Sequence, residues 1–196
     1  MLSWATIFPG VDPDARLVRR ARRGDRRAFG ELVERHRDRA WRVALGITGS
    51  PADAEDVTQE AFIAVLRHLH AFDGRSSFTT WLHRIVQRKA LDHLRRRRDV
   101  PHDPAAHDPA DPVDHQADHL VRQELLAAIA DLGDGFRETF VLCELAGLSI
   151  REAAAVLEVR EGTVKSRLHR ARAELASALG TSGQRPASDS REGAAP

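Results

Sequence analysis

The feature that most constrains the fold is one stretch of chain that cannot form a packed element. Residues 99–118 read DVPHDPAAHDPADPVDHQAD, with four prolines, six aspartates and neither lysine nor arginine. Proline removes a backbone donor and fixes φ, and a run of like charges repels itself. We therefore predict a flexible acidic linker at 99–118 that divides the chain into two separately packed parts.

The parts on either side of this linker show the helical pattern. Apolar residues recur at intervals of three and four, and no strand-like alternation or fixed repeat is present. In the helix predicted after Ser50-Pro51, this spacing turns Val57, Phe62 and Leu66 inward. We predict an all-α fold of two small helical domains, at 14–98 and 119–179. The polar, Gly- and Pro-rich tail at 180–196 predicts disorder.

Composition excludes several classes of protein. The single cysteine, Cys143, rules out an internal disulfide and a cysteine-based zinc site. Thirty cations nearly balance 29 acids, for a net charge of +1, so the positions of the charges matter more than their sum. No apolar run is long enough for a membrane span, and the N-terminus lacks the basic flank of a secretory signal. We expect a cytoplasmic protein without membrane insertion.

A basic helix near the C-terminus predicts binding to double-stranded DNA. GLSIREAAAVLEVREGTVKSRLHRARAEL, at 147–175, begins with a Ser149–Glu152 capping box and predicts two short helices around a tight turn at 159–162. Thr163 is the expected cap of the second helix. Its apolar stripe is Val164, Leu168, Ala171 and Leu175, and its opposite stripe is Lys165, Ser166, His169, Arg170 and Ala173.

This arrangement is typical of a helix-turn-helix, whose second helix enters the major groove. Arg167 and Arg172 flank the polar stripe and would suit phosphates. The alternative is an amphipathic surface helix whose cations contact only water.

A second basic region combines arginines with aromatic side chains. Arg84, Arg88 and Arg95 share one side of a helix that ends in RRRR, and AFDGRSSFTTW precedes them at 71–81. Stacking on aromatics and pairing with phosphates together bind single-stranded DNA. The alternatives are that Phe78 and Trp81 are core residues and that the arginine run is solvated.

A third charged surface is an acidic helix face. Asp53, Asp56, Gln59 and Glu60, with Glu55 beside them, would repel DNA but suit a basic protein surface. An ordinary solvated helix face is the alternative. We also considered a metal site, since the linker holds three histidines among its aspartates: His102, His107 and His115. A flexible chain does not preform such a site, and we expect neither metal nor cofactor.

Three motifs in this order resemble one family. DAEDVTQEAF, FDGRSSFTTWLHRIVQRKALDHLRR and the helix-turn-helix are similar to segments of bacterial RNA polymerase sigma factors of the sigma-70 family, ECF (extracytoplasmic function) group. The resemblance covers about residues 14–179. It implies a transcription initiation factor, not an enzyme, with core RNA polymerase and promoter DNA as partners.

The resemblance also implies which residues act. Core polymerase would be bound by Asp53, Asp56, Gln59 and Glu60. The minus-ten element, melted and held as a single strand, would be bound by Arg75, Ser76, Ser77, Thr79, Thr80, Trp81, His83, Arg84, Gln87, Arg88 and Arg95. The minus-thirty-five element would be read by Thr163, Lys165, Ser166, Arg167, His169 and Arg170.

Further expectations come from the family alone. An anti-sigma factor would hold the protein inactive until a stress or envelope signal, and the linker would thread the polymerase channel that later carries RNA. The residues before Gly162, Arg160-Glu161, depart from the pattern of many members and leave the promoter sequence open. The alternative function is a free-standing helix-turn-helix regulator, which would bind duplex DNA well without polymerase.

Overall fold

The computed structural model describes residues 12–99 and 116–182, and every regular element in these ranges is helical. The all-α prediction is therefore confirmed. The central residues of the acidic linker, with its three histidines, lie outside the described residues, as does the tail beyond Ser182.

The first domain contains four α-helices and one short 3₁₀ turn. They are α1 (Ala15–Ala21), α2 (Arg26–Thr48), α3 (Pro51–His68), the turn Leu69–Ala71, and α4 (Phe78–Asp99). The breaks follow local chemistry. The Asp25 side chain accepts from the backbone N–H of Ala28, and Ser50 caps α3 directly before Pro51, as N-cap preferences predict.

The core of the first domain lies where α2, α3 and α4 pack against one another. Its fully buried side chains are Leu32, Val43, Val57, Val65, Phe78, Leu82 and Val86. Each such side chain contributes about 1.5–3 kcal/mol through removal from water. This shared apolar interior fixes the directions in which the charged faces of α3 and α4 point.

A buried carboxylate holds the start of α1 to the rest of this domain. Asp14 is fully buried; it accepts hydrogen bonds from Arg35 at 2.6 Å and from Nε2 of His36 at 2.7 Å. Asp12 accepts from the backbone N–H of Phe78 at 2.9 Å and so links the same segment to α4. Burial raises the pKa of Asp14, but the hydrogen bonds and charges of His36 and Arg35 outweigh it, and the net pKa is lowered.

The second domain is built from four further α-helices and a π-helical turn. They are α5 (Gln116–Asp131), α6 (Phe136–Phe140), the turn Val141–Leu145, α7 (Ile150–Leu157) and α8 (Glu161–Ser182). The predicted capping box is present. The Ser149 hydroxyl accepts from the N–H of Glu152 at 3.2 Å, and the Glu152 carboxylate accepts from the N–H of Ser149 at 2.9 Å.

Two predicted helix starts are wrong. We expected the linker to reach residue 118 and a helix to begin at Leu120, but α5 begins at Gln116. The intervening sequence includes Gln and Ala, which are good helix formers. We also expected Thr163 to cap α8, but α8 begins at Glu161. The N–H of Thr163 donates to the Arg160 carbonyl at 2.9 Å, which places Thr163 inside the first turn.

The two domains contact each other. Helix α2 packs against the Val141–Leu145 turn, and α4 packs against α7. Gly46 permits the first of these contacts, since a Cβ at this position would lie 2.5 Å from Cγ2 of Val141. The absence of a side chain at Gly46 therefore lets the helices approach.

We predict that Asp14→Asn lowers the free energy of unfolding by about 2 kcal/mol at neutral pH, because a buried charge-assisted network loses its anion. Urea unfolding measures this effect. Asp38→Asn, on the exposed side of α2, is the matched control and should change stability by less than about 0.5 kcal/mol.

The same network predicts a pH dependence. The folded pKa of Asp14 lies below its unfolded value, so its stabilisation is fully present above about pH 4 and is lost as pH falls through the folded pKa. The stability difference between the parent and Asp14→Asn should therefore shrink in acid. A difference that grows below pH 4 would contradict this assignment.

Candidate functional site

The acidic face of α3 is divided between solvent and the neighbouring helix. Asp56 and Gln59 are exposed. Asp53 is only 16% exposed and pairs with His93 at 3.1 Å and with Arg97, both on α4. Only part of the predicted polymerase-binding set is therefore free to meet a partner.

Glu60 is also bound to α4. Its carboxylate accepts from Nζ of Lys89 at 3.0 Å and lies 3.8 Å from Arg96. The hydrogen bond from Lys89 lowers the pKa of Glu60 against the opposing effect of burial, and the charges of Lys89, Arg96 and His93 lower it further. Glu60 therefore stays anionic and ties α3 to the basic end of α4.

An apolar groove beside Asp56 and Gln59 was missed by the sequence analysis. It runs between α2 and α3 and is lined by Phe29, Val33, Phe62, Ile63 and Leu66, with the Arg37–Glu55 ion pair at its rim. Ile63 and Leu66 are 43% and 58% exposed. The inward orientation predicted for Leu66 is therefore wrong, because no helix in residues 12–99 or 116–182 packs over this end of α3. The signal available in the sequence was Ile63, an apolar residue outside the apolar stripe predicted to face inward.

The basic face of α4 borders the second domain. Arg84, Gln87, Arg88 and Arg95 lie along it, and the last three line a cleft whose other wall is Val156, Leu157 and Glu158 of the second domain. Arg88 pairs with Glu158 at 2.9 Å, and Arg84 donates to the carbonyl of Ala155 at 2.5 Å. Arg84 and Arg88 of the predicted strand-binding set thus have partners in the second domain, whereas Arg75 and Arg95 pair locally with Asp73 and Asp92.

Two members of the predicted strand-binding set lie in the core. His83 is fully buried and donates from Nδ1 to the Thr79 carbonyl at 2.7 Å. Burial lowers the pKa of His83 to about 4, so the ring is neutral near pH 7. Thr80 is 3% exposed and shares a hydrogen bond of 2.9 Å with Ser77. In this conformation neither His83 nor Thr80 can contact a DNA strand, because both side chains are buried within the first domain.

The aromatic residues before and within α4 form one cluster. The ring of Trp81 lies 5.1 Å from that of Phe72 and 6.1 Å from that of Phe78. Phe72 and Phe78 are buried, whereas Trp81 is partly exposed. The core interpretation is therefore correct for Phe78. Of the three aromatic residues in this cluster, only Trp81 retains an accessible surface; the nearby residues Arg75, Ser76 and Thr79 are accessible as well.

The second helix of the helix-turn-helix has the predicted two faces. Val164, Leu168, Ala171 and Leu175 are buried. Along the other side, exposed or partly exposed, are Thr163, Lys165, Ser166, Arg167, His169 and Arg170. Arg172 differs from expectation: it pairs with Glu144 at 2.5 Å instead of standing free for phosphate.

Neither a metal site nor a membrane-spanning helix is found in the described ranges. Residues 12–99 and 116–182 contain no group of three or more His, Cys, Asp or Glu placed to hold a metal ion. No helix in the same ranges is long and apolar enough to cross a membrane.

Comparison with known proteins places both halves of the chain. The sigma-70 region 2 model matches residues 32–100, and the sigma-70 region 4 model matches residues 122–175. The ECF RNA polymerase sigma-E factor of Escherichia coli is 35% identical over 173 residues, which are 81% of this chain and 90% of the relative.

A second relative and one solved structure agree with these matches. The ECF RNA polymerase sigma factor SigE of Mycolicibacterium smegmatis is 41% identical over 155 residues, 76% of this chain but only 60% of that relative's length. The structure of CnrH in complex with the cytosolic domain of CnrY superposes with a TM-score of 0.69 at 32% identity, covering 86% of this chain and 97% of CnrH. The chain described here belongs to the sigma-70 family of RNA polymerase sigma factors, within the ECF group.

Proposed function

We propose that this sigma factor docks on core RNA polymerase through the α2–α3 groove together with the exposed acids of α3. The observation that supports this most is that exposed Ile63 and Leu66 line one groove with Gln59, while exposed Asp56 lies three residues before Gln59 on the same helix. Interface centres combine apolar anchors with a polar rim. A basic, partly apolar helical surface on the polymerase would match both the apolar groove and the acidic part of α3.

We further propose a division of labour on promoter DNA. The exposed side of α8 reads the minus-thirty-five element, since Lys165, Ser166, His169 and Arg170 face away from the core and early residues of a recognition helix reach base edges. The basic face of α4, with Arg75 and Trp81 at its start, holds the unpaired minus-ten strand. The charge of Arg88 and Arg95 suits phosphates, and the accessible part of Trp81 suits an unstacked base.

This division explains how the protein acts without making a bond. As a sigma factor it is an initiation factor and not an enzyme; the polymerase performs the chemistry. Unpairing a base costs a few kcal/mol, and binding of the unpaired strand to α4 offsets that cost. Because α4 and α8 hold separate sites on one DNA, each raises the effective concentration of the other site.

Regulation and location follow from the same assignment. CnrH was solved in complex with the cytosolic domain of CnrY, so a chain of this fold can be held by a protein partner. We propose that an anti-sigma factor holds this chain in the same manner until a stress or envelope signal releases it. We place its action in the cytoplasm, where RNA polymerase and promoter DNA are.

The function is tested by run-off transcription from a promoter selected from genomic DNA with the reconstituted holoenzyme. We expect specific transcripts only when the chain and core polymerase are both present. Retention of that promoter by the chain alone, with no gain on adding core, would instead favour the free-standing regulator.

The docking surface is tested by Leu66→Asp. We expect affinity for core polymerase to fall about tenfold or more, as for a buried interface anchor, while the unfolding midpoint is unchanged because Leu66 is 58% exposed. Leu179→Asp is the matched control, because Leu179 is also an exposed leucine, at 36%, but lies on α8. Equal losses in both variants, or none in Leu66→Asp, would contradict the assignment.

A further inference from the structure

The end of α7 has an unusual backbone conformation. Glu158 follows α7 with φ 57° and ψ 38°, and it is the one non-glycine residue with positive φ in the described ranges. The left-handed position after a helix is usually glycine, because a Cβ is strained there. A glutamate at this position calls for a compensating interaction of its side chain.

That interaction is made with the other domain. The Glu158 carboxylate lies 2.9 Å from Arg88 and 3.7 Å from Arg84, both on the basic face of α4. Arg84 also donates to the backbone carbonyl of Ala155, within α7. The C-terminal end of α7 therefore occupies two arginines that the sequence analysis assigned to DNA.

A second contact holds the domains in the same arrangement. Gly46 of α2 lies against Val141 and Leu145 of the π-helical turn, and an added Cβ would be 2.5 Å and 3.1 Å from their side chains. Glycine within a helix is unfavourable relative to alanine, so this close approach gives Gly46 a structural reason. The interface thus has an apolar side at Gly46 and a charged side at Glu158.

We propose that these contacts form an autoinhibitory lock, in which Glu158 substitutes for DNA phosphate on α4 until the two domains separate. The inference rests on the proposed assignment of the basic face of α4 to the minus-ten strand. A strand cannot pair with Arg84 and Arg88 while the carboxylate is bound, and the cleft along Gln87 and Arg95 is walled by α7. Docking of the separate domains on polymerase and duplex DNA would open the lock.

The lock is weak enough to be released. Both ion pairs involve exposed or half-exposed groups, with Arg88 and Glu158 side chains 64% and 61% exposed. Each such pair changes the equilibrium constant between the contacting and the separated domains roughly threefold. Removing the carboxylate should therefore raise the open fraction, and with it the affinity for single strands, by roughly tenfold at most.

Two readouts on the full chain test the proposal. In a Cys143→Ser background, donor and acceptor dyes at Arg19→Cys on α1 and Glu174→Cys on α8 report the distance between the domains by energy transfer. Anisotropy of a fluorescein-labelled, mixed-sequence single-stranded oligonucleotide reports strand binding. Thermal melts confirm that each variant is folded.

The variants separate strain, charge and packing. Glu158→Gly removes the carboxylate and relieves the positive φ, so its melting temperature should not fall. Glu158→Gln removes only the charge. Gly46→Ala wedges the apolar side apart without altering any arginine partner. Glu161→Gln is the matched control, because Glu161 is an exposed glutamate in the same helix-turn-helix and forms none of the ion pairs with α4.

We expect lower energy transfer and several-fold tighter strand binding for Glu158→Gly, Glu158→Gln and Gly46→Ala, with no change for Glu161→Gln. Unchanged energy transfer in both Glu158 variants would overturn the lock. Lower energy transfer without tighter strand binding would overturn its inhibitory role. The assignment of α4 to the minus-ten strand fails separately if Arg88→Ala leaves open-complex formation by the holoenzyme unchanged.

Discussion

The structure depends on α4 and on the three kinds of contact that this one helix makes. Its apolar side, with Phe78, Leu82 and Val86, completes the core of the first domain. A second side brings Lys89 and His93 against the acids of α3. The remaining side presents Arg84 and Arg88 to whatever lies opposite, which in this conformation is α7. A change in any of these contacts therefore affects the other two through one rigid helix.

The pairing of α3 with α4 gives the first domain a mixed charge distribution that suits two different partners. The acids nearest α4 are neutralised within the chain, whereas Asp56 and Gln59 remain exposed beside an apolar groove. A protein surface can use that combination, because apolar anchors supply affinity and the polar rim supplies orientation. An acidic surface repels DNA, whereas the arginines on the other face of α4 attract it. On the proposed assignment, core polymerase and promoter would use different surfaces of the first domain.

Local sequence chemistry predicted most of the secondary structure. Ser50 and Ser149 cap helices through contacts within three residues, so their roles can be read from sequence alone. The polar and apolar faces of α8 also follow from spacing, since Val164 and Leu168 need only the helical period to be paired. The family resemblance supplied the order of the functional segments, which composition and periodicity could not.

Apart from the two helix starts, the errors concern burial and contacts that depend on how the helices pack. Whether Leu66 is covered depends on which helix packs over the end of α3, and periodicity does not contain that information. His83 was assigned to the DNA face because it lies among cations, but its position on the helix turns it into the core. Glu158 attracted no notice because a glutamate after a helix is ordinary; its left-handed backbone and its partners on α4 exist only in the folded chain.

We propose that one chain holds a duplex site with α8 and an unpaired strand with α4, and does so only on polymerase. Permanganate probing of unpaired thymines combined with hydroxyl-radical footprinting, on the cognate promoter, measures both contacts in one experiment. With holoenzyme we expect an upstream protected duplex and a downstream patch of reactive thymines. The reactive thymines should disappear when Arg84 and Arg88 are both replaced by alanine. Reactive thymines that persist in that variant, or that form with the chain alone, would contradict it.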